Sequence, residues 1–294
     1  MPKHRLLGIE EFRQYTPSHR LIQFLRDYFD EVEKSPEELP ILDWGCGRGE
    51  DVLWLLENGY DAYGVEIDAE PVENGRPLFQ ELGYDPSRLH LIGEDGKTGF
   101  SDEYFYLIIS DQVIEHIRYL EPVAEEMYRI TKPGGLGYHQ FPAHLRIKEV
   151  HLHMPFLQWL PKSRLRKALI AFYVQIGKEA DWPELRSASH REKADTYYRY
   201  SIEKTYYRPK RKIRHTFQQY GYQVSFAPTL KKRMQKKRVF RLLAKSSLLR
   251  KILWFFKSTF KRVELKLSKP EQTLKSNHRR SGRQPLVETA GRTR

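Results

Sequence analysis

Seven residues, Asp43-Trp44-Gly45-Cys46-Gly47-Arg48-Gly49, constrain this chain more than any others. A short apolar run, Ile41–Trp44, leads into glycines at alternate positions, and Val52, Leu53, Leu55 and Leu56 follow at helical spacing. Glycine lets backbone approach a ligand closely, and a helix N-terminus offers unpaired N–H groups beside it. The pattern predicts a strand, a ligand-binding turn and a helix. Its spacing is Gly-x-Gly-x-Gly and not the Gly-x-Gly-x-x-Gly of a dinucleotide turn. The alternation then continues. β-type runs at Ile41–Trp44, Ala62–Glu66, Leu89–Ile92, Phe105–Ser110 and Leu136–Phe141 are separated by helical stretches, which predicts an α/β domain with a parallel sheet and crossover helices.

Acidic residues recur at the ends of successive runs. Glu66 closes the second run, where a carboxylate accepts hydrogen bonds from ribose hydroxyls. Glu94 or Asp95 follows the third, in place to receive an adenine amino group. The segments ILDWGCGRGEDV, AYGVEID, FSDEYFYLIISDQVIEHI and ITKPGGLGYHQFPA resemble the methyltransferase domain of class I S-adenosylmethionine enzymes, the family exemplified by ubiquinone-biosynthesis O-methyltransferases. The resemblance covers residues 41–141. It implies a Rossmann-like, doubly wound, mostly parallel sheet with flanking helices, and S-adenosylmethionine as cofactor. It also implies that Asp43 and Gly45 meet the methionine end over the bare backbone of Gly47 and Gly49, and that Glu66 holds the ribose. Asp95 with Gly96 would hold the adenine, Glu94 being the competing assignment, while Ser110, Asp111 and Gln112 would line the floor beneath the sulfonium. Tyr106 departs from the Asp usual in that family.

Charge divides the 294 residues unevenly. The net charge is +13, yet residues 228–294 alone hold 21 Lys and Arg against Glu264, Glu271 and Glu288, which leaves the preceding body mildly acidic. An acidic body does not supply the basic catalytic face that a nucleic-acid enzyme needs. The expected organisation is N-terminal helices over 1–40, broken at Pro17, and a catalytic domain over 41–227 with a helical lid inserted at about 143–205. A helix at Pro209–Tyr220 and a strand at Tyr222–Phe226 would finish the sheet's far edge. Leu249, Ile252, Leu253, Phe256, Phe260, Val263 and Leu267 follow helical spacing among basic residues. Residues 228–267 are therefore read as a basic amphipathic helical extension, and 268–294 as a disordered tail.

This composition suits an anionic membrane surface, contacted through 239–267, ahead of packing on the domain or contact with RNA. No apolar run is long enough to span a membrane and no signal peptide opens the chain, so the expected location is cytoplasmic, peripheral at the inner face of a membrane. The single cysteine, Cys46, precludes an intrachain disulfide and reads as a small packing residue. Oligomeric state is not legible.

Methyl transfer from a sulfonium is an in-line displacement, in which protein positions the acceptor, and a hydroxyl acceptor benefits from a base. His116, His139, His144, His151 and His153 are candidate bases. His116 and His144 are preferred, because they follow the fourth and fifth runs. No metal is expected, although Glu149, His151 and His153 alternate on one segment. The turn after the fourth run reads Ser110-Asp111-Gln112-Val113, without the Pro-Pro-aromatic loop of amine methyltransferases, and Cys46 is misplaced for cytosine carbon chemistry. Elimination favours an oxygen acceptor on a small molecule or a sugar- or lipid-linked glycan. Two rivals remain, an RNA methyltransferase that uses the basic tail and a methyltransferase-like binding module without turnover.

Overall fold

The computed structural model describes residues 8–32, 35–93, 95–226 and 261–271. Seven strands form one sheet: β1 (Ile41–Trp44), β2 (Ala62–Glu66), β3 (Leu89–Leu91), β4 (Phe105–Asp111), β5 (Thr131–Pro142), β6 (Gln223–Ser225) and β7 (Arg262–Ser268). Their spatial order is β3-β2-β1-β4-β5-β7-β6. Strands β1 to β5 run parallel, and β7 lies antiparallel between β5 and β6. The mostly parallel, doubly wound sheet thus stands as expected from the alternation.

Helices cover both faces. On one, α1 (Ile9–Arg13), α2 (His19–Glu31), α3 (Glu50–Glu57) and α4 (Ala69–Glu81) bury Phe12, Leu25, Leu53 and Phe79 against Ile41, Leu107 and Ile109. On the other, α5 (Leu120–Ile130) and α8 (Lys210–Gln219) bury Met127, Ile130, Ile213 and Phe217 against Leu42, Ile108, Val263 and Leu265. Burial of these side chains on both faces, at about 1.5–3 kcal/mol each, is the main force holding the layers together. Pro17 separates α1 from α2, as the sequence predicts. Residues Lys132–Gly135 form a bulge opposite Tyr106 inside β5, with Gly134 at φ +77°.

Between β5 and α8 the chain inserts a helical segment. Helices α6 (Arg164–Gln175) and α7 (His190–Glu203) pack on each other around their own core of Leu152, Met154, Ile170, Trp182 and Tyr197.

The structure corrects the C-terminal reading. Arg262–Ser268 is a strand, not the last turns of an amphipathic helix, and Ser268 belongs to that strand, not to a disordered tail. Val263, Leu265 and Leu267 are buried on one face, while Glu264 and Lys266 meet Arg20 and the Phe24 ring of α2 on the other. The segment has a period of two, but Val263 and Leu267 are four apart and also fit a helical stripe. Pairing with β5 and β6 decides between the two. The rest of the predicted extension, 228–260, and the tail from 272 lie outside the described residues.

Candidate active site

The carboxyl ends of β1, β2 and β4 converge on one acidic depression. The glycine turn leaves β1 with Gly45, Gly47 and Gly49 at φ +81°, +57° and +92°, a region closed to most side chains. A side chain at Gly45 would strike Val113 at 2.6 Å. A side chain at Gly47 would meet nothing within 4 Å, so this backbone faces open space. Behind the turn, Gly75 of α4 sits so close that a Cβ there would lie 2.1 Å from the Arg48 carbonyl oxygen. Cys46 packs against Gly64 on the buried side, and burial raises its thiol well above the ordinary range, in keeping with a packing role.

Glu66 stands at the tip of β2. Its carboxylate accepts from the N–H groups of Gly47 at 3.0 Å, Ile67 at 2.7 Å and Asp68 at 3.2 Å. A carboxylate offers about four lone-pair sites, so a ribose would take the remaining one and displace a backbone donor to engage both hydroxyls. Asp43 is buried behind the turn. Burial, followed by the charges of Asp51, Glu66, Asp111 and Glu50, raises its carboxyl well above the usual range. Asp51 is pushed up to about 6, chiefly by burial, and its Oδ1 has no hydrogen-bond partner among the described residues. Such a crowd of carboxyls, with an unpaired buried oxygen, fits a ligand that brings positive charge. S-adenosylmethionine carries a sulfonium and an ammonium, and supplies the electrophilic methyl when bound.

The other predicted residues are placed as follows. Asp95 caps the turn that carries Gly96, its Oδ1 accepting from Lys97 N–H at 2.9 Å. Glu94 lies outside the described residues. Asp111 joins the acidic group and pairs with Arg262 at 3.3 Å. Ser110 is buried with its Oγ 2.8 Å from His139 Nδ1, and burial holds that imidazole neutral with a pKa near about 3. Gln112 is turned toward a second cleft by a left-handed backbone, φ +62°.

Three contributors escape sequence reasoning. Tyr15 and Ser18, from the break between α1 and α2, hydrogen-bond Asp51 and Asp111 and so close one side of the depression. Arg262 arrives from β7. Nothing local marks these residues, since each acquires its role only when distant segments are packed together.

The second cleft, about 280 Å³, adjoins the first at Gln112 and Arg262 and is lined also by Pro142, Arg146, Lys148, Glu149, Val150 and His153. His153 is exposed there with φ +59°. His116 does not line this cleft: its Nδ1 faces the Lys204 carbonyl at 2.6 Å and its Nε2 the Nε2 of His151 at 3.2 Å. His144 also lies off the cleft wall, with a buried Nδ1 that has no partner among the described residues. Glu149, His151 and His153 do not converge. Glu149 accepts from His151 Nδ1 at 2.9 Å and from Tyr207, and among the described residues the convergent group is Glu115, His116 and His151.

Residues 42–138 match the family model of a methyltransferase domain. Norajmaline N-methyltransferase of Rauvolfia serpentina is 25% identical over 108 residues, 36% of this chain and 36% of that protein. Sterol 4-C-methyltransferase of Caenorhabditis elegans is 31% identical over 100 residues, 34% of this chain and 30% of its own length. The mitochondrial ubiquinone biosynthesis O-methyltransferase of Mus musculus is 24% identical over 141 residues, 43% and 37% respectively. The match therefore spans about a third of each relative's length, and their names cover nitrogen, carbon and oxygen acceptors. With the glycine turn after β1 and the Glu66 carboxylate at the tip of β2, the chain carries over residues 42–138 a methyltransferase domain of the S-adenosylmethionine-dependent class.

Proposed function

We propose that the chain transfers the methyl group of S-adenosylmethionine to a hydroxyl of an anionic acceptor, a small molecule or a sugar-containing, lipid-linked one, held in the cleft beside Gln112. The observation that carries this reading is that Gln112 and His153, two non-glycine residues with left-handed backbones, line the same cleft. Each such conformation costs about 1–3 kcal/mol and persists where the surroundings enforce it, commonly at functional sites. Arg146, Lys148 and Arg262 give the wall its positive charge.

His153 is the exposed imidazole on that wall and, in this reading, the base that takes the hydroxyl proton as the oxygen attacks the methyl. Asp43, Glu66 and the glycine turn hold the donor. The basic sequence preceding β7 supports attachment to an anionic membrane, since it leads directly into Arg262 of the cleft wall, and Arg146 Nη1 of that wall donates to the Lys261 carbonyl at 3.1 Å.

The test uses the full chain, labelled S-adenosylmethionine, and a panel of hydroxyl acceptors with and without a phosphate or carboxylate. Label should pass to the anionic acceptors, and His153→Ala should lower kcat by about 10²–10⁴, the usual worth of a base, with donor affinity unchanged. Transfer only to amine or carbon acceptors, or full turnover by His153→Ala, would sink the reading.

A further inference from the structure

Beyond the transfer site, the contact between lid and domain holds an unresolved electrostatic conflict. His116 follows β4, and its Nδ1 faces the Lys204 carbonyl oxygen, which can only accept. That nitrogen therefore carries the proton, and Nε2 carries a lone pair. His151, from the lid, directs Nδ1 at the Glu149 carboxylate, which again fixes the proton there and leaves Nε2 bare. The two Nε2 atoms nevertheless face each other at 3.2 Å. Two lone pairs at that distance repel unless a cation lies between them. Beside them stands Glu115, only 2% exposed, and no other described residue donates to either of its carboxylate oxygens.

We propose that Glu115, His116 and His151 bind one divalent metal ion of the zinc class, which clamps the lid onto the turn after β4. The three ligand atoms lie within 4.8 Å of one another. Bonds of about 2.0–2.1 Å to a tetrahedral ion separate two nitrogens by about 3.3 Å, close to the spacing found here. Both imidazoles have the outer support that zinc histidines show, a carboxylate on one and a carbonyl on the other. Tyr207 extends that support by donating to Glu149. The cation would also pair with the buried carboxylate of Glu115, whose oxygens meet no other donor among the described residues. Three protein ligands leave a fourth position for water.

Zinc chloride titrated calorimetrically into chelator-stripped full-length protein should show one bound ion. His116→Ala, His151→Ala and Glu115→Gln should each weaken binding by about 100-fold or more, and Glu149→Gln by about 10–100-fold, the usual effect of an outer partner. His215→Ala, an exposed histidine on α8, should bind as the parent does. Circular dichroism of each metal-free variant checks that it is folded, and cobalt substituted for zinc should give the intense visible bands of a tetrahedral site in the parent and His215→Ala but not in His116→Ala, His151→Ala or Glu115→Gln. Zinc should also slow proteolysis between α6 and α7 in the parent and leave His151→Ala unprotected. Parent affinity no better than that of His116→Ala and His151→Ala overturns the site. Tight binding without protection from proteolysis overturns the clamp.

Discussion

Asp43 and Asp51 are carboxyls that the fold gathers without matching cations among the described residues. Asp51 ionises at about 6, beside Tyr15, Asp111, Glu50 and Asp43, of which Tyr15 alone donates a hydrogen bond. An acid whose folded pKa is raised keeps its proton between about 4 and 6, where the unfolded chain has lost it, so its contribution to stability falls as pH rises through that window. His139, buried and neutral, works in the opposite direction over the same range. Net stability is therefore a poor readout, and the gain in Tm on adding S-adenosylmethionine is a clean one. A cationic ligand favours the ionised acids, so that gain should grow between pH 5 and pH 7.5, and Asp51→Asn should flatten the growth. A gain independent of pH would place the ligand's positive charge elsewhere. Glu66→Ala should weaken donor binding by about 1–3 kcal/mol through lost ribose hydrogen bonds, measured by calorimetry. Unchanged affinity would remove Glu66 from the site.

At the scale of elements, the closest packing lies where α4 crosses the glycine turn. Gly75→Ala would drive a methyl against the Arg48 carbonyl, and overpacking of this kind costs about 1–3 kcal/mol. The variant should unfold at lower denaturant and also bind the donor less tightly, because the displaced carbonyl belongs to the glycine turn; an unchanged midpoint would refute the contact. Gly75 was not legible in the sequence, where it reads as an ordinary helical glycine. The five parallel strands, and the place of Glu66 at the end of one of them, were legible because periodicity is a local property. The β7 strand was hidden by its own composition: Val-Glu-Leu-Lys-Leu alternates, yet it continues an i, i+4 series from Phe256 and Phe260. Ser110 shows a further limit. Its position after a β-run was clear, but its bond to His139 depends on β4 and β5 pairing in register, which one strand's sequence does not encode.

For the molecule as a whole, the basic segment is an excursion between two strands of one sheet and not a free appendage. A chain stopped after Ala227 would lose Val263, Leu265 and Leu267 from the core, each at most 2% exposed. Loss of even one such leucine costs about 2–5 kcal/mol, so the truncated protein should fail to fold cooperatively in thermal melts. A short polar linker in place of 230–258 keeps β7 and should preserve both the melt and donor binding. The same variant should no longer float with vesicles containing phosphatidylserine, whereas the parent should do so even at high salt if apolar insertion contributes. Flotation of the linker variant would exclude this segment as the anchor.

Among the described residues, strand β6 has no hydrogen-bonded neighbour in the sheet other than β7, which follows it by more than thirty residues. During synthesis, β1 to β5 and the donor cradle can assemble while the chain is still emerging, but β6 must wait for a partner not yet made. The ribosome thus delivers the two halves of the sheet at different times, and the later half closes over a long excursion whose ends must first find each other. Refolding from denaturant should accordingly show early protection of amide hydrogens in β1 and β4 and late protection in β6 and β7.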